Sequence, residues 1–417
     1  MLSQQNKIKY VTGEGFWGVL TGLTVPSVIL VSLLQNHNAS KLMIGVVASG
    51  MSGAFFITSF FGLFFFTSRK KRKVQLVLWH LLVVSPMYII IGILIFFSSS
   101  MSDVVFCWTL LALFILVNFF LGVIIPSWQD WIGHLCPKES RGSLMGLAFC
   151  VFNISWMVTS LIVSFIFRRD TSDTTYGLLY IAGGIAGMLS MVLFAIIDDR
   201  VDEHTEEQPK LSISEIKHAM KESYNQLNYR IYLTSKAFVT CGICMLPFYT
   251  LYYRSDLGGG LHESDIMSMT VVQVCMAALS AYITGRAGDK KGHRYSYIYS
   301  VLFIVLSLLV PIFSKGLISG YASFILMGLS GGIMVSHINI MLDTCTHDQR
   351  VVHLVLSNLI VGVFAVSIPI LMGLMGDMLG IKPVFITALI LTLIGILVAQ
   401  FKMIEPRDIL EAEIEAE

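Results

Sequence analysis

The chain has 417 residues, 55% of them hydrophobic and only 13% charged, with a mean hydropathy of +0.76. Soluble domains carry about 25% charged residues, so this composition excludes an ordinary water-facing globule, and the formal net charge of +1 implies no nucleic-acid partner. The apolar runs are long and do not alternate. In hydrocarbon every backbone N–H and C=O must be paired inside the segment or around a closed barrel, so the runs read as helices.

A span needs about 20 apolar residues at 1.5 Å each to cross a core of roughly 30 Å. Runs of that kind are predicted near 14–35, 41–66, 74–97, 103–126, 142–167, 176–197, 232–253, 264–284, 295–314, 317–342, 351–375 and 382–403. The fold class is therefore an all-α membrane protein of about twelve transmembrane helices. The run beginning near Phe16 lacks a short apolar core followed by a small-residue cleavage site, so the first helix is expected to be retained. Residues 198–231 form the one long hydrophilic stretch and divide the chain into an N-terminal bundle, 1–197, and a C-terminal bundle, 232–403, followed by an acidic tail, 404–417. Within the linker, Ile213 to Leu227 reads either as an amphipathic surface helix or as a plain solvated connection.

Lysine and arginine sort to alternate ends of the spans. One side receives Lys7, Lys9, the run Arg69 to Lys73, Lys138, Arg141, the linker cations, Arg286, Lys290, Lys291, Arg294, Arg350, Lys402 and Arg407. The other keeps Lys41, Arg168, Arg169, Arg254, Lys315 and Lys382. By the positive-inside rule both termini are expected in the cytoplasm, with a bacterial inner membrane as the expected location. The seven cysteines lie almost entirely in apolar segments and read as small buried hydrophobes; Cys241 and Cys244 make a CxxC, but inside a span.

The two halves repeat faintly. The basic loop from Gly62 to Lys73 sits where the loop from Gly285 to Arg294 sits in the second half, and Pro137 to Arg141 corresponds to Thr346 to Arg350. The sequence Gly285-Arg286-Ala287-Gly288-Asp289-Lys290-Lys291-Gly292-His293-Arg294 resembles the signature loop of the major facilitator superfamily, with only His293 off pattern. The first-half copy departs from it, with Phe66 at the aspartate position, and reads better as a topology signal touching lipid headgroups. Pro126-Ser127-Trp128-Gln129-Asp130-Trp131 through Arg141 looks like the end of helix four and its loop in bacterial facilitators. Trp128 and Trp131 read equally well as membrane-surface aromatics.

The resemblance implies two pseudo-symmetric six-helix bundles around a central site, rocking in alternating access. It also implies a cytoplasmic gate built from Asp130, Arg141, Gly285, Asp289, Lys290, Gly292, Arg294 and Arg350. Polar groups inside a membrane are costly, and those on the helices the family uses for its cavity are the substrate or coupling candidates: Glu14, Asn118, Asn153, Trp156, Tyr249, Gln273, His337, Asn339 and Asn358. Each has a structural alternative. Glu14 suits a helix N-terminus, and Asn118 and Asn153 suit hydrogen bonds across helices. His337 is the best protonation candidate, and His80 a weaker one. Lys236 reads as a side chain extending to the headgroups, and Tyr249, Tyr252 and Tyr253 as an outer gate or an interfacial belt.

Some signals are missing. No acidic residue falls at the middle of a predicted span, and Leu147 to Phe167 contains no glycine or proline, unlike the fifth helix of drug–proton antiporters. No nucleotide-binding Gly-x-x-x-x-Gly-Lys-[Ser/Thr] loop is found, so a gradient is the expected energy source. The expectation is a non-enzymatic secondary transporter, monomeric and without cofactor or metal, moving a small polar or amphipathic solute with the proton as candidate coupling ion. Its lipid partners are those of the bilayer. The rival is a membrane receptor or assembly factor that keeps the fold without transporting.

Overall fold

The computed structural model describes residues 3–65, 71–135, 138–199, 213–344, 350–406 and 408. The elements among them are all helical. Eleven helices are long and apolar enough to cross a membrane, and a bent pair brings the number to twelve. In chain order they are α1 (Gln4–Asn36), α2 (Lys41–Gly53 with Phe56–Gly62, bent by 42°), α3 (Arg72–Phe96), α4 (Asp103–Leu135), α5 (Lys138–Phe167) and α6 (Asp173–Ala195). They continue as α7 (Leu227–Arg254), α8 (Glu263–Lys291), α9 (His293–Phe313), α10 (Leu317–Met341), α11 (Arg350–Leu379) and α12 (Ile381–Lys402). The linker carries a helix at Ile213–Asn225 that packs on α11 and buries Ser223. Residues 200–212 of the linker and the 66–70 and 345–349 loops lie outside the described residues.

Proline accounts for two of the local breaks. Pro26 has no N–H to donate, and α1 leaves α-geometry at Thr24 and Val25 before resuming through a wider turn at Pro26–Leu30. Pro247 does the same in α7, which breaks at Cys244 and Met245.

The chain forms two compact units. The first comprises Met1–Met43, Ala54–Lys210 and Glu263–Val271; the second comprises Ile44–Gly53, Leu211–His262 and Val272–Glu417. These depart from the simple halves for local reasons. A Cβ on Gly45 or Gly53 would meet α11 backbone at Pro369 or Val366, so glycine lets that stretch of α2 lie on α11. Ser164 Oγ on α5 donates to the Ser264 carbonyl at 2.8 Å, tying 263–271 to the first unit.

In the first unit α1 packs against α5 along Gly18 and Gly22, whose missing side chains admit the backbone of Phe152 and Trp156. Tyr10, Trp131 and Phe194 form an aromatic core, with Tyr10 stacked on Phe194 at 5.4 Å and Trp131 5.4 Å from the same ring. In the second unit α7 is the most enclosed element. Tyr249 shares a 2.8 Å hydrogen bond with Ser307, and Tyr253 contacts Ser319 and Ser323 at 2.9 and 2.7 Å. Tyr249, Tyr252 and Tyr253 are all at most 2% exposed, so they form a hydrogen-bonded core where the sequence offered a gate or a belt.

Candidate functional site

Inside the first unit is a cavity of about 220 Å³. Glu14 and Trp17 of α1, His80 of α3, Trp128 of α4 and Phe149 and Phe152 of α5 line it, together with aliphatic side chains and Phe194. Glu14 is 8% exposed, with Tyr10 and Trp128 within hydrogen-bonding reach of its carboxyl. Tyr10 stands one helical turn before Glu14, so α1 itself sets that geometry. His80 bonds through Nδ1 to the Leu76 carbonyl at 2.9 Å and presents its ring to Trp17 edge-on at 5.3 Å. Trp128 is half-buried and lines the cavity, and Trp131 is 0% exposed with its indole on Asp199, so both pack inside the unit. Of the substrate candidates read from sequence, this cavity takes Glu14 alone, joined by His80, the weaker protonation candidate, and by Trp128.

The second unit holds a polar centre on α7 and α10. Lys236 is only 8% exposed, and its Nζ lies 2.6 Å from Nε2 and 3.0 Å from Nδ1 of His337. The Tyr232 hydroxyl, one turn earlier on α7, is 2.5 Å from the same Nδ1. Lys236 thus turns inward to His337 where the sequence suggested headgroups. An N···N hydrogen bond needs one donor and one acceptor. An imidazolium has no lone pair, so Lys236 and His337 hold this contact only while the pair carries at most one excess proton. A second proton breaks it. No described carboxylate pairs with Lys236.

At the terminus-bearing end of each unit a joint ties the last helix to the first. Asn6 Nδ2 donates to the Asp198 carbonyl at 2.9 Å and its Oδ1 accepts from Asp198 N at 3.2 Å. Asn228 repeats this with Ile404, at 3.0 and 2.8 Å. Beyond the asparagine each joint uses a carboxylate. In the first unit Asp199 pairs with Lys73 at 2.7 Å and accepts from Trp131 Nε1 at 3.0 Å. In the second, Glu405 caps α9, accepting from His293 N at 3.0 Å and Arg294 N at 2.9 Å.

That cap explains the signature loop. Gly292 has φ +96°, a left-handed conformation that disfavours side chains, and its missing Cβ makes room for the Glu405 carboxylate. Arg294 reaches the C-terminal carbonyls of α12, Ala399 O at 3.1 Å and Gln400 O at 2.5 Å, where a cation suits the helix dipole. Asp289 is 76% exposed and 3.9 Å from His293, and Lys290 is exposed. Gly285 meets Val335 only at ordinary contact distance. Asp130, Arg141 and Arg350 lie in α4, α5 and α11 by backbone position, and the gate role read for them falls outside the described side chains.

The remaining candidates scatter. Asn118, Asn153 and Asn339 each donate to the carbonyl four residues earlier, at 2.9, 2.7 and 3.0 Å, and so bond their own helix and not a neighbour. Trp156 packs on Phe152 at 6.0 Å, and its buried Nε1 has no hydrogen-bond partner among the described residues. Tyr249 belongs to the second-unit core, while Gln273 and Asn358 are half-buried on α8 and α11. Cys241 and Cys244 are buried free thiols. Among the described residues no group of three His, Cys, Asp or Glu side chains could hold a metal ion.

The sequence profile of the Major Facilitator Superfamily matches residues 15–258 and 231–416. The chain belongs to this superfamily. Solved structures of similar fold include a mutant form of the nucleoside transporter NupG, at TM-score 0.71 and 12% identity over 95% of this chain and 98% of that one. A bacterial homologue of the human lysosomal transporter Spinster, inward-facing and unoccupied, aligns at TM-score 0.67 and 12% identity over 95% and 98% of the two chains. No curated protein sequence matches significantly. For this facilitator the likenesses establish a multi-pass membrane transporter fold, and at 12% identity they carry no substrate.

Proposed function

We propose that this facilitator is a proton-coupled secondary carrier that moves a small polar or amphipathic solute by alternating access, with both termini in the cytoplasm. The observation that carries the coupling is the Lys236–His337–Tyr232 centre. An ionisable group in a span is stable only with a partner, and this one has a partner that fails on gaining a second proton. Protonation therefore weakens the contact between α7 and α10, and proton release restores it. Two states of one helix contact, selected by a proton, are what coupling requires. The end joint of the second unit, where Arg294 of α9 reaches the end of α12 and Glu405 caps α9, is the corresponding gate element, and Asp289 remains a candidate latch.

Reconstitution into proteoliposomes tests this. A panel of solutes is offered with and without an imposed pH gradient, and one solute class is expected to accumulate only with the gradient. Lys236→Met should keep solute exchange at equal pH on both sides while losing gradient-driven accumulation. No movement of any solute would refute the carrier reading and leave the receptor reading standing; equal accumulation by wild type and Lys236→Met would refute the coupling site.

A further inference from the structure

We propose that the cavity of the first unit is a binding site for a small organic cation, an amine or quaternary ammonium, seated with its charge at Glu14 and its alkyl groups against Trp17, Trp128 and Phe152. As the identity of the transported solute this rests on the carrier reading; as a binding site it stands without it.

The chemistry of the wall selects the charge. Among the described residues, Glu14 is the one acidic side chain lining the cavity, and no lysine or arginine lines it. Trp17, Trp128, Phe149, Phe152 and Phe194 bring five aromatic rings to the same wall. Ring faces attract cations through their quadrupole, tryptophan most strongly, and the attraction grows when water is excluded. An anion would meet a carboxylate and electron-rich faces together. A neutral apolar molecule would leave the carboxylate without its best partner.

Glu14 is prepared for an ammonium. A carboxylate has about four acceptor positions, and with at most Tyr10 and Trp128 within reach as donors Glu14 keeps acceptor capacity toward the cavity. His80 does not compete as a donor, because its Nδ1 is spent on the Leu76 carbonyl and a neutral ring then has only a lone pair at Nε2. Size narrows the class further. At about 220 Å³ the cavity is smaller than the roughly 300–1,000 Å³ of drug-sized sites, so the ligand is compact.

The experiment uses the purified full-length chain in lipid nanodiscs and follows tryptophan fluorescence, since Trp17 and Trp128 face the cavity. Choline is titrated against its uncharged analogue, in which carbon replaces the quaternary nitrogen. Choline is expected to give a saturable change, with the analogue at least about tenfold weaker. Glu14→Gln should weaken choline by at least about tenfold and leave the analogue unchanged. Thermal melting checks that the variant is folded; should it fail, Glu14→Asp, which keeps the charge, is expected to retain the preference for choline. Equal affinity for choline and its analogue, no saturable response in wild type, or undiminished binding by a folded Glu14→Gln overturns the proposal. Choline binding without movement of any solute would sink the carrier and spare this site. Carriage of another solute without choline binding would do the reverse.

Discussion

Replacing Gly18 by alanine tests whether the α1–α5 contact holds the first-unit cavity in shape. The added Cβ would stand 3.0 Å from the carbonyl carbon and 3.1 Å from the Cα of Phe152, and closer still to its carbonyl oxygen, where ordinary contact begins at 3.4 Å. The obstacle is backbone, so no side-chain rotation relieves it. Overpacking costs about 1–3 kcal/mol, and a rigid partner places this case near the upper end. Alanine returns about 1 kcal/mol as a better helix former, leaving a net loss of about 2 kcal/mol. For a unit of roughly 200 residues that is a fall of about 4–8 °C in Tm. Phe152 also lines the cavity, so choline binding should weaken with the shift of α5. The internal control is Gly146 on α5, where a Cβ meets nothing within 4 Å. Gly146→Ala, which gains the same helix propensity without the clash, should melt about 2–4 °C above wild type and leave binding unchanged. If Gly18→Ala melts above wild type as Gly146→Ala does, the close approach is not a constraint and the packing argument fails.

Two further outcomes follow from the helix ends. Glu405→Ala removes the cap of α9 and should cost about 0.5–2 kcal/mol, seen as faster hydrogen exchange at His293 and Arg294, with Glu405→Gln losing less because one oxygen still accepts. Asp170, in the exposed turn between α5 and α6, accepts from Thr175 and Ser172, and these hydrogen bonds hold its carboxyl below the usual range. Its folded pKa is therefore depressed, so its contribution is present above the unfolded value of about 3.9 and lost as pH falls through the folded one. The melting difference between wild type and Asp170→Asn should be present at neutral pH and close on acidification; a gap that widens in acid would contradict the assignment.

Much of the architecture was legible because bilayer thickness imposes a length that composition reveals, and the twelve runs reappear as eleven helices and a bent pair. The glycine of the signature loop was legible too, since a reversal needs positive φ and Gly292 has it. What the reading missed depends on which face of a helix looks inward. In a span apolar on all sides, the 3.6-residue period carries no such mark. Lys236 could extend along α7 or turn to His337 with the same local sequence, and Trp131 could sit at a membrane surface or on Asp199. Glu405 was invisible for another reason: it belongs to a tail that reads as a plain acidic end, and its partners His293 and Arg294 lie 112 and 111 residues earlier.

The two end joints make the molecule its own comparison series. Asn6 and Asn228 preserve one paired hydrogen-bond geometry, while the carboxylate beside each has taken a different task, an ion pair at Asp199 and a helix cap at Glu405. Duplicated segments within a single polypeptide share their bilayer and expression history. Exchanging Asp199 and Glu405 with their immediate surroundings would therefore ask, inside one chain, how far one joint can be rebuilt before the other no longer serves as a replacement.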